Sequence, residues 1–233
     1  MSRNQKRKQR NRPSSNELGE EELLRLLHDE LSMLSFSIEE GAAGQFARFV
    51  RLLHKWNSIY NLTSVRDMKQ MVSRHILDSV VIGPHLQGQQ VLDVGCGAGL
   101  PGIPLAIIYP DRQFTLLDSN NKKTRFVQQA VVELNLDNVV VATERVELYK
   151  PLQVFDTVVA RAYSSIENLL NGVQHMLVKN SQVLAMKGTY PLAELESIPA
   201  AFELQRVEPL LVPGMDAERH LVILKYLAAD GSV

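Results

Sequence analysis

The sequence predicts an α/β fold: a mostly parallel seven-stranded sheet, closed by an antiparallel C-terminal hairpin and preceded by a helical N-terminal extension. Three observations carry this expectation. After Gln89, short apolar runs alternate with helical patterns, as they do in a parallel sheet flanked by helices on both faces. The first of these runs, Val91 to Val94, contains an acid and leads into the glycine-dense turn Gly95-Cys96-Gly97-Ala98-Gly99. Beyond Gly188 two further runs follow with no helix between them.

The elements follow in chain order. From Glu20 to about Tyr60 the pattern is helical, with Phe46, Phe49, Val50, Leu53, Trp56 and Tyr60 repeating at threes and fours. Arg48, Arg51 and Lys55 fall on the opposite face and read first as a solvated surface. Shorter helical pieces at Met68 to Ser73 and Ile76 to Ile82 complete the region, and Gly83-Pro84 and Gln87-Gly88 close it. The strand candidates are Val91 to Val94, Phe114 to Leu117, Val139 to Ala142, Thr157 to Ala160 and Val183 to Met186. Helices fit Ile103 to Ile108, Lys122 to Asn135 and Ile166 to Leu177. Phe202 to Leu211 and His220 to Leu227, split by Pro213-Gly214, form the expected hairpin. The organisation is thus a basic tail expected to be disordered (1–19), a helical region (20–86) and a sheet domain (87–230).

Bulk properties narrow the function classes. No apolar run is long enough to span a bilayer and the basic start does not lead into a signal-peptide apolar region, so cytoplasmic residence is the expectation. Cys96 is the one cysteine, which excludes an internal disulfide and a cysteine-based zinc site; no metal is expected. The net charge of −1 hides an asymmetry, because Arg3, Lys6, Arg7, Lys8, Arg10 and Arg12 lie in the first twelve residues with no acid among them. The rest of the chain carries 19 basic against 26 acidic side chains, a net charge of −7. A nucleic-acid partner would therefore be met by a local patch or by the tail, which otherwise reads as a solubilising terminus.

In an open parallel sheet, ligands bind beyond the carboxyl ends of the strands, so the chemistry should lie just after each strand. The first strand supplies Asp93 and the turn, whose Gly95, Gly97 and Gly99 allow positive φ and leave no Cβ where a ligand approaches. The second ends in Asp118, which can accept hydrogen bonds from both ribose hydroxyls of an adenosine. The third is followed by Glu144-Arg145-Val146-Glu147, suited to framing an adenine ring, and the fourth ends in Arg161. Gly97-x-Gly99-x-x-Gly102 formally satisfies a Rossmann dinucleotide fingerprint. Dehydrogenases usually have an apolar residue where Asp93 stands, whereas an acid there, able to orient the loop or meet the methionine end of the cofactor, is typical of S-adenosylmethionine enzymes. The late hairpin also suits their Rossmann-like, seven-stranded plan.

At this point the sequence resembles bacterial small-subunit (16S) ribosomal RNA guanine-N7 methyltransferases, also called glucose-inhibited division protein B. The motifs are Lys55-Trp56-Asn57 with Asn61-Leu62-Thr63, Arg74-His75-x-x-Asp78-Ser79, Asp93 through Ala106, Leu117-Asp118-Ser119, Arg145-Val146-Glu147, Arg161-Ala162 and Met186-Lys187-Gly188. The resemblance implies S-adenosylmethionine as cofactor, with Gly95, Leu100, Val146, Glu147 and Arg161 in contact with it. It implies methylation of N7 of one guanine in 16S ribosomal RNA, presented free or in the small ribosomal subunit; a monomer is expected. Cys96 stands where the family often has serine or threonine, and the basic tail is longer than usual.

The residue inventory agrees with that acceptor. C5 methylation of a pyrimidine needs a cysteine near the base, and Cys96 sits in the cofactor loop. Exocyclic amine methylation commonly uses an Asn/Asp-Pro-Pro-aromatic turn, and Ala160-Arg161-Ala162-Tyr163 stands there instead. Guanine N7 has an in-plane lone pair and no proton, so positioning and electrostatics suffice. Candidate positioning groups are Arg161 and Lys187, with His75 and Asp78 from the helical region and Tyr163 to stack on a base. Each has a plainer reading: Arg161 and Lys187 could pair with the acids of the cofactor site, and His75 with Asp78 at i, i+3 could be a structural pair. Lys122, Lys123 and Arg125 read first as a solvated helix start. Two other functions stay open: methylation of another RNA position, a small molecule or a protein, separated by the acceptor that takes label, and non-enzymatic RNA binding, separated by failure to bind S-adenosylmethionine.

Overall fold

The computed structural model describes residues 17–227, so the basic tail, apart from residues 17–19, lies outside the described residues. The seven strands are β1 (Gln90–Val94), β2 (Gln113–Leu117), β3 (Val139–Ala142), β4 (Phe155–Arg161), β5 (Leu177–Lys187), β6 (Phe202–Pro209) and β7 (His220–Tyr226). Their order is β3-β2-β1-β4-β5-β7-β6. β1 pairs in parallel with both β2 and β4, and β4 with β5, whereas β7 runs antiparallel between β5 and β6. The order reverses between β1 and β4, which opens a crevice at their carboxyl ends.

The side-chain alternation of β1 explains how the layers are built. Val91 packs into one core with the N-terminal helices, α5 (Gly102–Ile108) and α6 (Asn121–Leu134), while Leu92 and Val94 enter a second core beneath α7 (Ile166–Val173). Asp93 shares the parity of Val91 and so points toward α5, fully buried. A short α8 (Leu192–Leu195), absent from the sequence expectations, follows β5.

The helical region departs from expectation in two places. The helix expected from Glu20 to Tyr60 is two helices, α1 (Glu20–Leu31) and α2 (Ala42–Tyr60). Ser32, Ser35, Ser37 and Gly41 fill the break; Ser32 turns its hydroxyl onto the Asp29 carbonyl, a local bond that competes with the helix ladder. The two pieces expected over Met68 to Ile82 instead run on without a gap from α3 (Met68–Met71) through a π-helical segment, Val72–Leu77, into α4 (Asp78–Val80). Such wide turns recur at functional sites. The helix expected over Ile166 to Leu177 stops at Val173, a 3-10 turn takes Gln174–Met176, and Leu177 already opens β5. No described helix is long and apolar enough to cross a membrane.

Candidate active site

The glycine turn is fastened to the end of β2. Gly95 N–H (2.8 Å) and Cys96 N–H (3.1 Å) both donate to the Leu117 carbonyl, and Gly97 N–H donates to Asp118 Oδ2 at 2.9 Å. Asp118 Oδ1 accepts from Asn120 N–H at 2.8 Å, so its carboxylate is fixed from both sides while lone pairs on each oxygen remain open. The turn then passes so close to the sheet that a Cβ at Gly102 would lie 2.1 Å from Leu116 Cδ2 and 2.7 Å from Asp93 Oδ2. Only glycine fits there, and its N–H donates to Asp93 Oδ2 at 2.8 Å. Asp93 therefore holds the start of α5 against the sheet.

A cleft of about 430 Å³ opens above this turn. Gly95, Asp118, Val146, Glu147, Arg161 and Tyr163 line it, together with Lys123 from the start of α6. Asp93, Gly97, Gly99 and Leu100 lie outside that lining, Asp93 and Leu100 being buried beneath it. The cleft suits an adenosyl group: Asp118 offers a fixed carboxylate, and Val146 is a buried apolar wall. A Cβ at Gly95 would fill space 3.5 Å from the Tyr163 ring, so bare backbone is what keeps this floor open.

Asp93 has an unusual charge state. Burial raises its pKa from 3.8 to about 7, opposed by the Gly102 hydrogen bond and Arg161 and assisted by Asp118, and its Oδ1 has no hydrogen-bond partner. In the unfolded chain the group ionises near 3.8, so between that value and about 7 the folded state holds a proton the unfolded state has released. Stability contributed by Asp93 is complete at acid pH and is lost as pH rises to about 7, at up to about 1.4 kcal/mol per pH unit. Asp93→Asn keeps an acceptor for Gly102 without the titration. Denaturant unfolding at a series of pH values should show this variant gaining stability relative to the parent from about pH 4 to 7 and no further. A constant difference across that range would mean that Asp93 is ionised throughout.

A second cavity, of about 410 Å³, adjoins the first and shares Arg161 and Ala162 with it. Ala162 has φ +56°, a left-handed conformation costly for a residue with a Cβ, at the step where the chain leaves β4 between the two spaces. His75, Asp78, Lys187, Arg74 and Arg219 also line the second cavity. Asp78, almost completely buried, sits between two guanidiniums: Arg161 Nη1 reaches Oδ2 at 3.2 Å and Arg219 Nε reaches Oδ1 at 2.9 Å. Arg161 Nη1 also donates to the Arg74 carbonyl at 3.1 Å.

The plainer pairings that the sequence leaves open do not occur among the described residues. Arg161 pairs with Asp78 rather than with Asp93 or Asp118, and Lys187 pairs with Glu194 of α8 at 2.8 Å. The same Glu194 oxygen accepts the Ile166 N–H at the start of α7. His75 does not bond Asp78; within the π turn its Nε2 meets Thr63 Oγ1 at 2.9 Å and its Nδ1 lies 3.0 Å from the Arg74 carbonyl. Asn57 in turn bonds the Thr63 N–H and the Val65 carbonyl, so the segment flanking the cavity hangs on α2. Burial, then Arg161, lowers the His75 pKa to about 4, leaving the ring neutral near pH 7. Tyr163 lines the first cleft and not the second.

Sequence reasoning missed Arg219. It is a single cation in the β6–β7 connection, with no pattern to mark it, and reaches Asp78 across 141 positions of chain. No group of three metal-ligating side chains occurs among the described residues.

Comparison with known proteins gives a consistent picture. Residues 42–222 match the family model described as rRNA small subunit methyltransferase G. The chain is 46% identical over 200 residues to the ribosomal RNA small subunit methyltransferase G of Nitrosococcus oceani, covering 86% of this chain and 94% of the relative. It is 48% identical over 198 residues to the protein of the same name from Marinobacter nauticus, covering 85% and 92%. Among solved structures, a tRNA methyltransferase from Aquifex aeolicus superposes with a TM-score of 0.55 at 19% identity, over 66% of this chain and 69% of that one. A SAM-dependent methyltransferase from the same organism gives 0.51 at 16% identity, over 68% and 93%. These last two similarities bear on the fold alone.

Proposed function

The chain belongs to the rRNA small subunit methyltransferase G family, and from that premise we propose that it transfers a methyl group from S-adenosylmethionine to N7 of one guanine in 16S ribosomal RNA. The observation that carries the reading is the pair of cavities that meet at Arg161 and Ala162, one equipped for an adenosyl group and one rich in cations. The helical region, 20–86, contributes the wall with Arg74, His75 and Asp78, and the sheet domain, 87–230, contributes the cofactor cleft. We take the protein to act as a cytoplasmic monomer.

When bound, S-adenosylmethionine supplies an electrophilic methyl group. Asp118 receives the ribose hydroxyls, Val146 packs on the adenine, and Gly95, Gly97, Gly99 and Leu100 form the bed that Asp93 holds in place. Glu147 closes the adenine side of the cleft, with Tyr163 across from it. On the acceptor side, Arg161, Arg219, Arg74 and Lys187 hold phosphate oxygens and guanine O6. Among the described residues no group there is free to act as a base: Asp78 is occupied by two guanidiniums, and neutral His75 is engaged with Thr63 and the Arg74 carbonyl. An acceptor nitrogen that carries no proton needs none, and N7 of guanine is such an atom.

The test uses methyl-labelled S-adenosylmethionine with small subunits, or naked 16S RNA, from cells lacking this activity, followed by cleavage specific for N7-methylguanine. A single labelled guanine is expected. Label elsewhere in RNA would overturn the choice of atom, and cofactor binding without RNA labelling would overturn the choice of substrate.

A further inference from the structure

We propose that the basic face of α2 is an RNA-binding groove that grips the phosphodiester backbone beside the methylated nucleotide. It rests on the proposed function in taking ribosomal RNA as the substrate. Arg48, Arg51 and Lys55 recur at threes and fours and so share one face of the helix. All three are exposed and line a groove of about 440 Å³, with His54 beside them and Met68 in its wall. Among the described residues none of the three charged groups has an ion-pair partner, whereas the cations Arg161, Arg219 and Lys187 of the acceptor cavity all do. Glu17 and Glu133 also line the groove, and Glu133 already accepts a hydrogen bond from Gln129.

Charge and position together point to RNA. Outside its first twelve residues the chain is net negative, so its overall field repels a polyanion and binding must draw on local cations, of which those without a carboxylate partner keep the most charge for the backbone. The groove is joined to the acceptor cavity by one short segment: Met68 lines the groove and Val65 lines the cavity. Three residues of chain span at most about 11 Å, roughly the rise of three nucleotides along one strand. Arg66 within that segment and Lys69 just beyond it are both exposed, and Arg74 stands at the cavity itself. A strand with its target base turned into the cavity would thus lay its neighbouring phosphates along α2.

The experiment compares the full chain with an Arg48→Ala/Arg51→Ala/Lys55→Ala variant in methyl transfer to naked 16S RNA and to assembled small subunits, and in direct RNA binding at several salt concentrations. The expected result is a KM for RNA raised about tenfold, kcat and S-adenosylmethionine affinity unchanged, and a salt slope shallower by about two to three. An unchanged KM and an unchanged slope would overturn the proposal. So would a KM raised only for assembled small subunits, which would assign the face to a ribosomal protein. A parent protein that binds RNA without labelling it would sink the proposed function alone, since the binding arm still reads the groove.

Discussion

Asp118→Ala is expected to weaken S-adenosylmethionine binding by at least two orders of magnitude while the sheet remains folded. The carboxylate is nearly buried, 9% exposed, and both its oxygens already accept backbone N–H groups, from Gly97 and Asn120. Those bonds cost the ligand nothing further, because the acceptor is oriented before binding. Two hydrogen bonds from ribose hydroxyls to a prepositioned carboxylate are worth about 1.5 to 3 kcal/mol each, which converts to roughly 10² to 10⁴ in affinity. Alanine also releases the Gly97 N–H and loosens the turn that bears Gly95, so the loss should lie toward the upper end. Asp118→Asn keeps an acceptor for Gly97 and should fall between the two. Calorimetric titration with the cofactor checks this; an alanine variant that binds within a few-fold of the parent would place the adenosine somewhere other than the end of β2.

The candidate site at the end of β2 is legible in the sequence because each of its parts is local. Asp93, the glycine turn and Asp118 are marked by position at the end of an apolar run, and the alternation of β1 alone decides that Asp93 faces α5 while Leu92 and Val94 face α7. The cofactor half needs no knowledge of how distant segments meet. The acceptor half does. His75 and Asp78 look like an i, i+3 pair on an α-helix, but the π segment Val72–Leu77 re-aims them, and no proline or glycine in that stretch announces it. Arg219 becomes meaningful only when β7, antiparallel to β5, carries it back to Asp78. The break after Leu31 was missed for the opposite reason, since the apolar spacing ran past serines whose competition with the helix depends on context.

Arg161→Ala should separate the two halves of the site kinetically. The residue lines both cavities, yet its guanidinium is spent on the acceptor side, on Asp78 Oδ2 and the Arg74 carbonyl. Removing it should therefore lower kcat by about 10² to 10³, in the range of losing one fixed electrostatic donor, and leave cofactor affinity within a few-fold. Asp78 would keep only Arg219, and an arginine deleted from a buried pair destabilises by about 3 to 5 kcal/mol when no partner remains, so a smaller loss is expected here. Arg161 is also the second cause, after burial, of the lowered His75 pKa, and its removal should move the ring upward from about 4, visible in the imidazole proton shifts. A structural role and a positioning role differ in one further variant. Adding Asp78→Asn to Arg161→Ala removes the underbalanced carboxylate and should recover stability; if activity recovers with it, Arg161 serves only to neutralise Asp78, and if activity stays low, the guanidinium acts on the substrate. Lost cofactor binding with unchanged kcat would instead return Arg161 to the adenosyl cleft.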